Sequence, residues 1–281
     1  MVSTHDAPVW MVTGCSTGFG RSIATHLLDE GYRVAVTARR TDSVKEFAPY
    51  DNALVLPLDV TSRSSVQDAV DAAEAHFGRI DVVVNNAGIG YFAAVEETPD
   101  EVVDRLFDVN FRGVTRMIHA VLPGMRARRS GTIVNLTSIG GLVGHTAVGY
   151  YCAAKFAVEG LSASLRHEVE PLGIGVLTVE PSAFRTDWAG SSQETENPIA
   201  DYDRSAGAAR RAYHASVGRQ AGDPDRAARA LVKAVTSLDM PRHLLLGADA
   251  YTAAMAELDA QKAEFEAWEA VTRSADFPAG R

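Results

Sequence analysis

The sequence predicts an α/β fold: one doubly wound parallel sheet with helices on both faces. Three observations carry that prediction. Short apolar runs alternate with helix-length stretches from about residue 8 to 247, the pattern of βαβ units with right-handed crossovers. The runs are near-continuously apolar, as strands covered on both faces are. The first run ends in a Gly-rich turn, Thr13-Gly14-Cys15-Ser16-Thr17-Gly18-Phe19-Gly20, that opens a helix.

The elements follow in order. Val9 to Thr13 is short, apolar and ended by glycine, which reads as a buried strand. Residues 19–30 set Ile23, Leu27 and Leu28 at helical spacing, and Gly31 supplies the stop. Arg33 to Ala38 and Ala53 to Leu58 are the second and third strands, and Ser62 to Phe77 is a long helix. The fourth strand, Ile80 to Val84, runs into Asn85-Asn86-Ala87-Gly88. Two helices, around 99–111 and 113–127, lead to a fifth strand at Thr132 to Leu136. A helix containing Tyr151 and Lys155 runs to about Pro171, and the strand Gly175 to Val179 comes next. From Thr186 to Asp223 the pattern dissolves into Gly, Ser, Asn, Asp and Arg. A stretch this long in a compact domain is functional or mobile, and a disordered insertion is the competing reading. Pro224 to Leu238 reads as a helix and His243 to Leu246 as a last short strand. Tyr251, Met255, Leu258, Phe265 and Trp268 then form a helical stripe, which core packing or a subunit contact explains better than a cofactor does.

With 281 residues, 46% of them hydrophobic, the chain buries a large core in one domain. A net charge of −9 argues against nucleic acid or an anionic membrane as the main partner. Cys15 and Cys152 form no framework of spacings, so a reducing cytoplasm fits better than a disulfide fold. The N-terminus shows no signal-peptide pattern, and no apolar stretch approaches the ~18 residues of a spanning helix. The eight histidines have no metal-ligand spacing, so no metal site is expected; His145 lines a pocket or is solvated.

Tyr151 and Lys155, four residues apart, put a phenol and an ammonium on one helix face. Ser138 lies 13 residues upstream of Tyr151, and Asn110 a further 28 back. Singly, each has a bland reading: a surface helix pair, a turn serine, an asparagine at a helix kink or cap. In this order, and behind that Gly-rich turn, they resemble the short-chain dehydrogenase/reductase family over about residues 8–247. Gly-Phe-Gly-Arg after the turn, Thr-Ala-Arg-Arg at the second strand and Ala-Phe-Arg-Thr-Asp after the sixth look like a 17β-hydroxysteroid dehydrogenase-like branch.

The resemblance implies a single Rossmann-type catalytic domain over 1–281. It places a substrate loop at about 186–223, often with short helices in it, and leaves a C-terminal helical extension at about 249–273. It implies an NADP(H)-dependent oxidoreductase that interconverts a carbonyl and an alcohol. Tyr151 would be the general acid/base and Lys155 the stabiliser of its phenolate and a partner of the nicotinamide ribose. Ser138 would bond the substrate oxygen, and Asn110 would hold a water linking Lys155 to solvent. A cofactor-binding regulatory protein without turnover, and family chemistry such as C=C reduction or dehydration, are the alternatives.

At the cofactor end, Gly14, Ser16, Thr17, Gly18, Phe19 and Gly20 form the pyrophosphate turn. An NAD-specific strand end carries Asp or Glu, whereas here Ala38 is followed by Arg39 and Arg40, a pair suited to a 2′-phosphate. NADP is therefore expected ahead of NAD, with two solvated loop arginines as the bland reading. Asp59 and Val60 would lie beside the adenine, although Asp59 reads equally as an N-cap or turn residue. Asn86, Ala87 and Gly88 would line the adenosine side, Asn85 and Asn86 reading equally as turn residues. Pro181, Ala183, Phe184 and Thr186 would face the nicotinamide. Ser182 stands where the family usually has glycine, and a positive φ there would strain it. Phe184, Trp188 and Tyr202 suggest an apolar pocket for a sizeable or aromatic carbonyl compound. Homodimers or homotetramers are common in the family.

Overall fold

A computed structural model describes residues 7–277. The apolar runs become strands β1 (Val9–Val12), β2 (Arg33–Ala38), β3 (Ala53–Pro57) and β4 (Val82–Asn85). After the short β5 (Tyr91–Phe92) come β6 (Gly131–Leu136), β7 (Ile174–Pro181), the short β8 (Gln193–Glu194) and β9 (His243–Leu246). Seven of them form one parallel sheet in the order β3-β2-β1-β4-β6-β7-β9, while β5 and β8 pair separately, also in parallel. This is the expected Rossmann-type sheet.

The helices are α1 (Gly18–Asp29), α2 (Arg63–Phe77), α3 (Asp100–Phe107), α4 (Gly113–Arg128) and α5 (Gly149–Val169). They continue as α6 (Trp188–Ser191), α7 (Ala208–Ser216), α8 (Pro224–Val235), α9 (Ala248–Ala267) and α10 (Glu269–Arg273). Their ends follow local chemistry. The Ser62 hydroxyl accepts a bond from Ser65 N–H to start α2, and Gly78 in the left-handed region ends it. The Asp223 carboxylate caps α8.

Side-chain alternation along the strands divides the core in two. Trp10 and Val12 of β1 pack with Ile23, Leu27 and Leu231, under α1 and α8. Met11 points the other way, into a cluster with Val66, Met117, Val121, Val158 and Leu165 under α2, α4 and α5. The order reverses at β1 and β4, and the crevice at the carboxyl ends of these strands is where open α/β sheets bind ligands.

One expectation is corrected and two open alternatives are narrowed. The helices expected around 99–111 and 113–127 do not separate. A π-turn at Asp108–Arg112 carries α3 into α4 with helical backbone at both joins. The segment 186–223 is ordered: α6, β8 and α7 occupy it, and β8 is tied to β5. The C-terminal stripe is not core. Tyr251, Met255, Leu258, Phe265 and Trp268 are all exposed, because α9 meets the body through the small side chains Ala250 and Ala254. Among the described residues, no helix is long and apolar enough to cross a membrane.

Candidate active site

A cavity of about 1630 Å³ opens at the carboxyl end of the sheet and takes in both ends of the expected site. At one end lies the turn between β1 and α1. Gly14 has φ 73°, a conformation that favours glycine. A Cβ on Gly20 would overlap the Gly14 carbonyl and stand 2.5 Å from Asn86 Nδ2. The end of β4 braces this turn. Asn86 donates to the carbonyls of Thr13 (2.8 Å) and Gly14 (3.1 Å), and Thr13 Oγ1 accepts from the N–H groups of Asn86 and Ala87. The Asn86 amide thus holds the cradle. Asn85 is no turn residue: it ends β4, buried, and bonds Asn135 at 2.8 Å.

Arg39 lines the cavity, as do Gly14, Ser16, Thr17, Gly18, Phe19, Asp59, Val60, Ala87 and Gly88, whereas Gly20 and Arg40 lie outside the lining. Gly20 serves by close packing. Arg40 follows Arg39 by one residue and heads the turn at Thr41–Phe47. Asp59 Oδ1 accepts from Thr61 N–H (2.9 Å) and Thr61 Oγ1 (2.7 Å). Those bonds, with Arg39 and Arg116 at longer range, hold its carboxyl below the usual carboxylate range. Asp59 thus closes this turn and also lines the cavity.

Pro181, Ala183, Phe184 and Thr186 also line the cavity. Phe184 packs on Phe19 with ring centroids 4.9 Å apart. The strain considered for Ser182 does not arise. Arg129 and Ala147 are the non-glycine residues with positive φ among those described, and Ser182 N–H continues the sheet by bonding Leu246 O at 3.0 Å.

At the other end, α5 carries Tyr151 and Lys155 toward the same space. Ser138 caps a short 3₁₀ turn after β6, its Oγ accepting from Gly140 N–H at 3.0 Å. Burial pushes the Tyr151 phenol above its usual range, and a hydrogen bond with Ser138 acts in the opposite direction. Lys155 is buried, donates to Leu136 O at 2.8 Å and stands 5.6 Å from the centre of the Tyr151 ring. Burial lowers its ammonium to about 8, and the Glu159 charge opposes that shift. Asn110, fully buried in the π-turn, bonds Ile89 in both directions, each at 2.9 Å. A Cβ placed on Gly88 would lie 3.2 Å from Asn110 Oδ1 and 3.7 Å from Lys155 Nζ. Ser138, Tyr151 and Lys155 surround one corner of the cavity, whereas Asn110 lies behind it, outside the lining.

The profile of the family described as short chain dehydrogenase matches residues 8–197. The chain belongs to this family. It is therefore one of the NAD(P)-dependent oxidoreductases. An oxidoreductase of Botryotinia fuckeliana, BOA17, is 36% identical over 264 residues, covering 92% of this chain and 96% of the relative. The crystal structure of a short-chain dehydrogenase from Streptomyces avermitilis superposes with a TM-score of 0.89 at 40% identity, over 97% of this chain and all of that one. An alcohol dehydrogenase from Thermococcus sibiricus, solved with 5-hydroxy-NADP, matches at 26% identity and a TM-score of 0.71, over 86% of this chain and 96% of its own.

The wall facing Tyr151 in this dehydrogenase is aromatic. Trp188 lies 5.0 Å from Tyr151 by ring centroids and 5.6 Å from Phe92, and Phe92 stacks on Tyr213 at 4.9 Å. Trp188, Tyr213, Cys152 and His145 line the cavity. Burial lowers His145, whose Nε2 is buried without a partner. Tyr202 does not join this wall. Its ring packs on Ala94, Ala147 and Ala206, and its hydroxyl donates to Glu96 at 2.6 Å. Sequence reasoning missed Tyr213, although Tyr202, Ala206, Ala209 and Tyr213 stand at helical spacing in a segment read as patternless. Cys15 and Cys152 are free and buried.

Proposed function

We propose that the protein is an NADP(H)-dependent oxidoreductase interconverting a carbonyl and an alcohol, with Tyr151 as its general acid/base. The observation that carries this reading is the corner formed by Tyr151, Ser138 and Lys155, which opens into the cavity that also holds the Gly-rich turn. The turn fits a dinucleotide because its backbone is held open by Asn86 and because Gly20 removes a side chain from its packing. Arg39 lines the crevice at the end of β2, with no acidic neighbour on that strand to repel a 2′-phosphate.

Bound nicotinamide would supply or accept the hydride. Tyr151 Oη holds the proton that passes to a carbonyl oxygen, and Ser138 Oγ donates a hydrogen bond to that oxygen as charge develops. The Lys155 ammonium stabilises the phenolate left behind, and Leu136 O fixes where the ammonium sits. Asn110 faces Lys155 across Gly88, where a water would resupply the proton. Trp188, Tyr213 and Phe184 favour an apolar carbonyl compound of some size.

The test is consumption of NADPH and NADH with a panel of aliphatic, aromatic and polycyclic ketones. Tyr151→Phe should abolish turnover and retain NADPH binding, since the phenol is the proton source and the turn is untouched. Wild-type-like turnover in Tyr151→Phe would falsify the assignment.

A further inference from the structure

One turn beyond Lys155 on α5, Glu159 enters a group of polar side chains that the steps above do not use. The Thr137 hydroxyl donates to Glu159 Oε1 at 2.5 Å. Glu180 on β7 is fully buried, and Thr178 donates to its Oε1 at 2.6 Å. His243 Nδ1, on β9, lies 2.8 Å from that same oxygen and 3.9 Å from Glu159 Oε2. The remaining oxygens, Glu159 Oε2 and Glu180 Oε2, are buried with no hydrogen-bond partner. Close-facing atoms of Glu159, Glu180 and His243 all lie within 4.8 Å of one another. Two dry carboxylates at that separation are costly as a double anion. Burial and the neighbouring Glu180 charge therefore favour the protonated form of Glu159, and the half-exposed His243 side chain gives its proton a way to solvent.

Above about pH 7 Glu159 is an anion, and Lys155, four residues back on the same face of α5, is the buried cation nearest to it along that helix. The other charged and titratable groups facing this cluster are Glu180 on β7, His243 on β9, and Arg166 farther along α5, which both carboxylates and Arg242 influence. Tyr151 stands one turn back along α5, its ring centre 5.6 Å from the ammonium. Resting on the Tyr151–Lys155 reading, we propose that Glu159 is a positioning residue for the reaction. Its negative charge favours the charged Lys155 ammonium beside Tyr151, and Glu180 and His243 set how readily Glu159 carries that charge. Burial lowers Lys155 to about 8 and Glu159 opposes it. Burial first, and then Glu180, push Glu159 itself up to about 7.

The sequence contains four lysines, at 45, 155, 233 and 262, so carbon-13 labelling at lysine Cε gives a spectrum in which Lys155 is followed directly by NMR. In Glu159→Gln, which keeps the shape of the side chain, the Lys155 titration midpoint should fall by about one pH unit. The alkaline limb of turnover against pH should move the same way. His243→Gln should give a smaller shift in the same direction, because it removes a ring whose protonated form favours the charged form of Glu159. A purely structural role for Glu159 would move neither midpoint. An unchanged Lys155 midpoint in both variants, with native thermal unfolding, overturns the proposal. If Glu159→Gln does not fold, the His243→Gln midpoint decides, since that side chain is half exposed. The underlying catalytic reading fails separately, through full turnover in Tyr151→Phe, and the lysine titration is independent of that result.

Discussion

Replacing Lys155 by methionine should flatten the rise of stability with pH, and the size of the effect follows from burial. The native ammonium is lowered from 10.5 to about 8, with desolvation the first cause. In the unfolded chain it keeps its charge to about pH 10.4. A lysine with a depressed native pKa is a cost. Below pH 8 both states are charged, and the native state holds its charge in a poor medium. Between the two values the native state gives up its proton while the unfolded state keeps it. The unfolded state then binds more protons, and stability increases with pH. Worked from about pH 7.5 to 9.5, this one group contributes a gain on the order of 2 kcal/mol. Methionine reaches as far and carries no charge. It also leaves the Leu136 carbonyl without its donor, at about 1–3 kcal/mol, but that loss does not vary with pH and cancels between the two conditions. Burial keeps Tyr151 above this window. Glu159, at about 7, lies at its lower edge and feels the Lys155 charge, so the comparison is repeated in the Glu159→Gln background. Urea unfolding of both proteins without cofactor, at each pH, measures the difference directly. A wild-type-minus-variant stability that stays flat within about 0.5 kcal/mol across the window would refute a buried, charged Lys155.

Arg39→Ala should weaken NADPH about ten- to hundred-fold and leave NADH nearly unchanged, the value of one charge-assisted phosphate contact. Equal losses for the two cofactors in fluorescence titrations would remove Arg39 from the site. Gly20→Ala should lose NADPH binding and about 1–3 kcal/mol of stability, since the new methyl meets the Gly14 carbonyl and Asn86 and the turn must open. Normal binding by that variant would show the turn to be slack. Leu258→Glu and Phe265→Glu should leave monomer stability within about 0.5 kcal/mol, because both side chains are exposed on α9. A marked drop in unfolding midpoint would mean the stripe packs after all.

Much of this was legible because two periodicities dominate. Buried parallel strands write themselves as short apolar runs, and β2 and β9 match their expected bounds residue for residue. The motif residues are legible for a different reason: their residue types and spacings are local to the chain, whereas their meeting depends on the parallel sheet bringing its carboxyl ends together. What did not show was set by long-range contact. Nothing in the spacing of Asn110 signals that a π-turn points its amide at Ile89. Tyr202 and Trp188 look alike as loop aromatics, yet only the tie between β5 and β8 and the packing of Phe92 decide which one faces Tyr151. The stripe on α9 has helical spacing, but period alone does not say whether a partner surface lies opposite it.

The placement of Tyr151 depends on a second pattern along α5, made of polar residues. Lys155, Glu159, Ser162 and Arg166 follow at intervals of four, three and four, which puts them on one face of the helix. Each bonds the sheet beneath. Lys155 donates to Leu136 O, Glu159 accepts from Thr137, and Ser162 accepts from Asn135 at 2.9 Å. Arg166 donates to Val176 O at 3.2 Å and Arg242 O at 3.1 Å. Asn135 in turn accepts from Asn85, so the ladder spans β4, β6, β7 and α5. Val158, Leu165 and Val169 supply the apolar contact on the same helix, but apolar packing alone is tolerant of small slides. Directional bonds at four successive levels are not. A shift of α5 along its axis would break all of them together and leave buried groups unpaired, at about 1–3 kcal/mol each. The phenol is thereby held to one height above the sheet, the requirement for a proton donor that must reach its acceptor at about 2.6–3.2 Å.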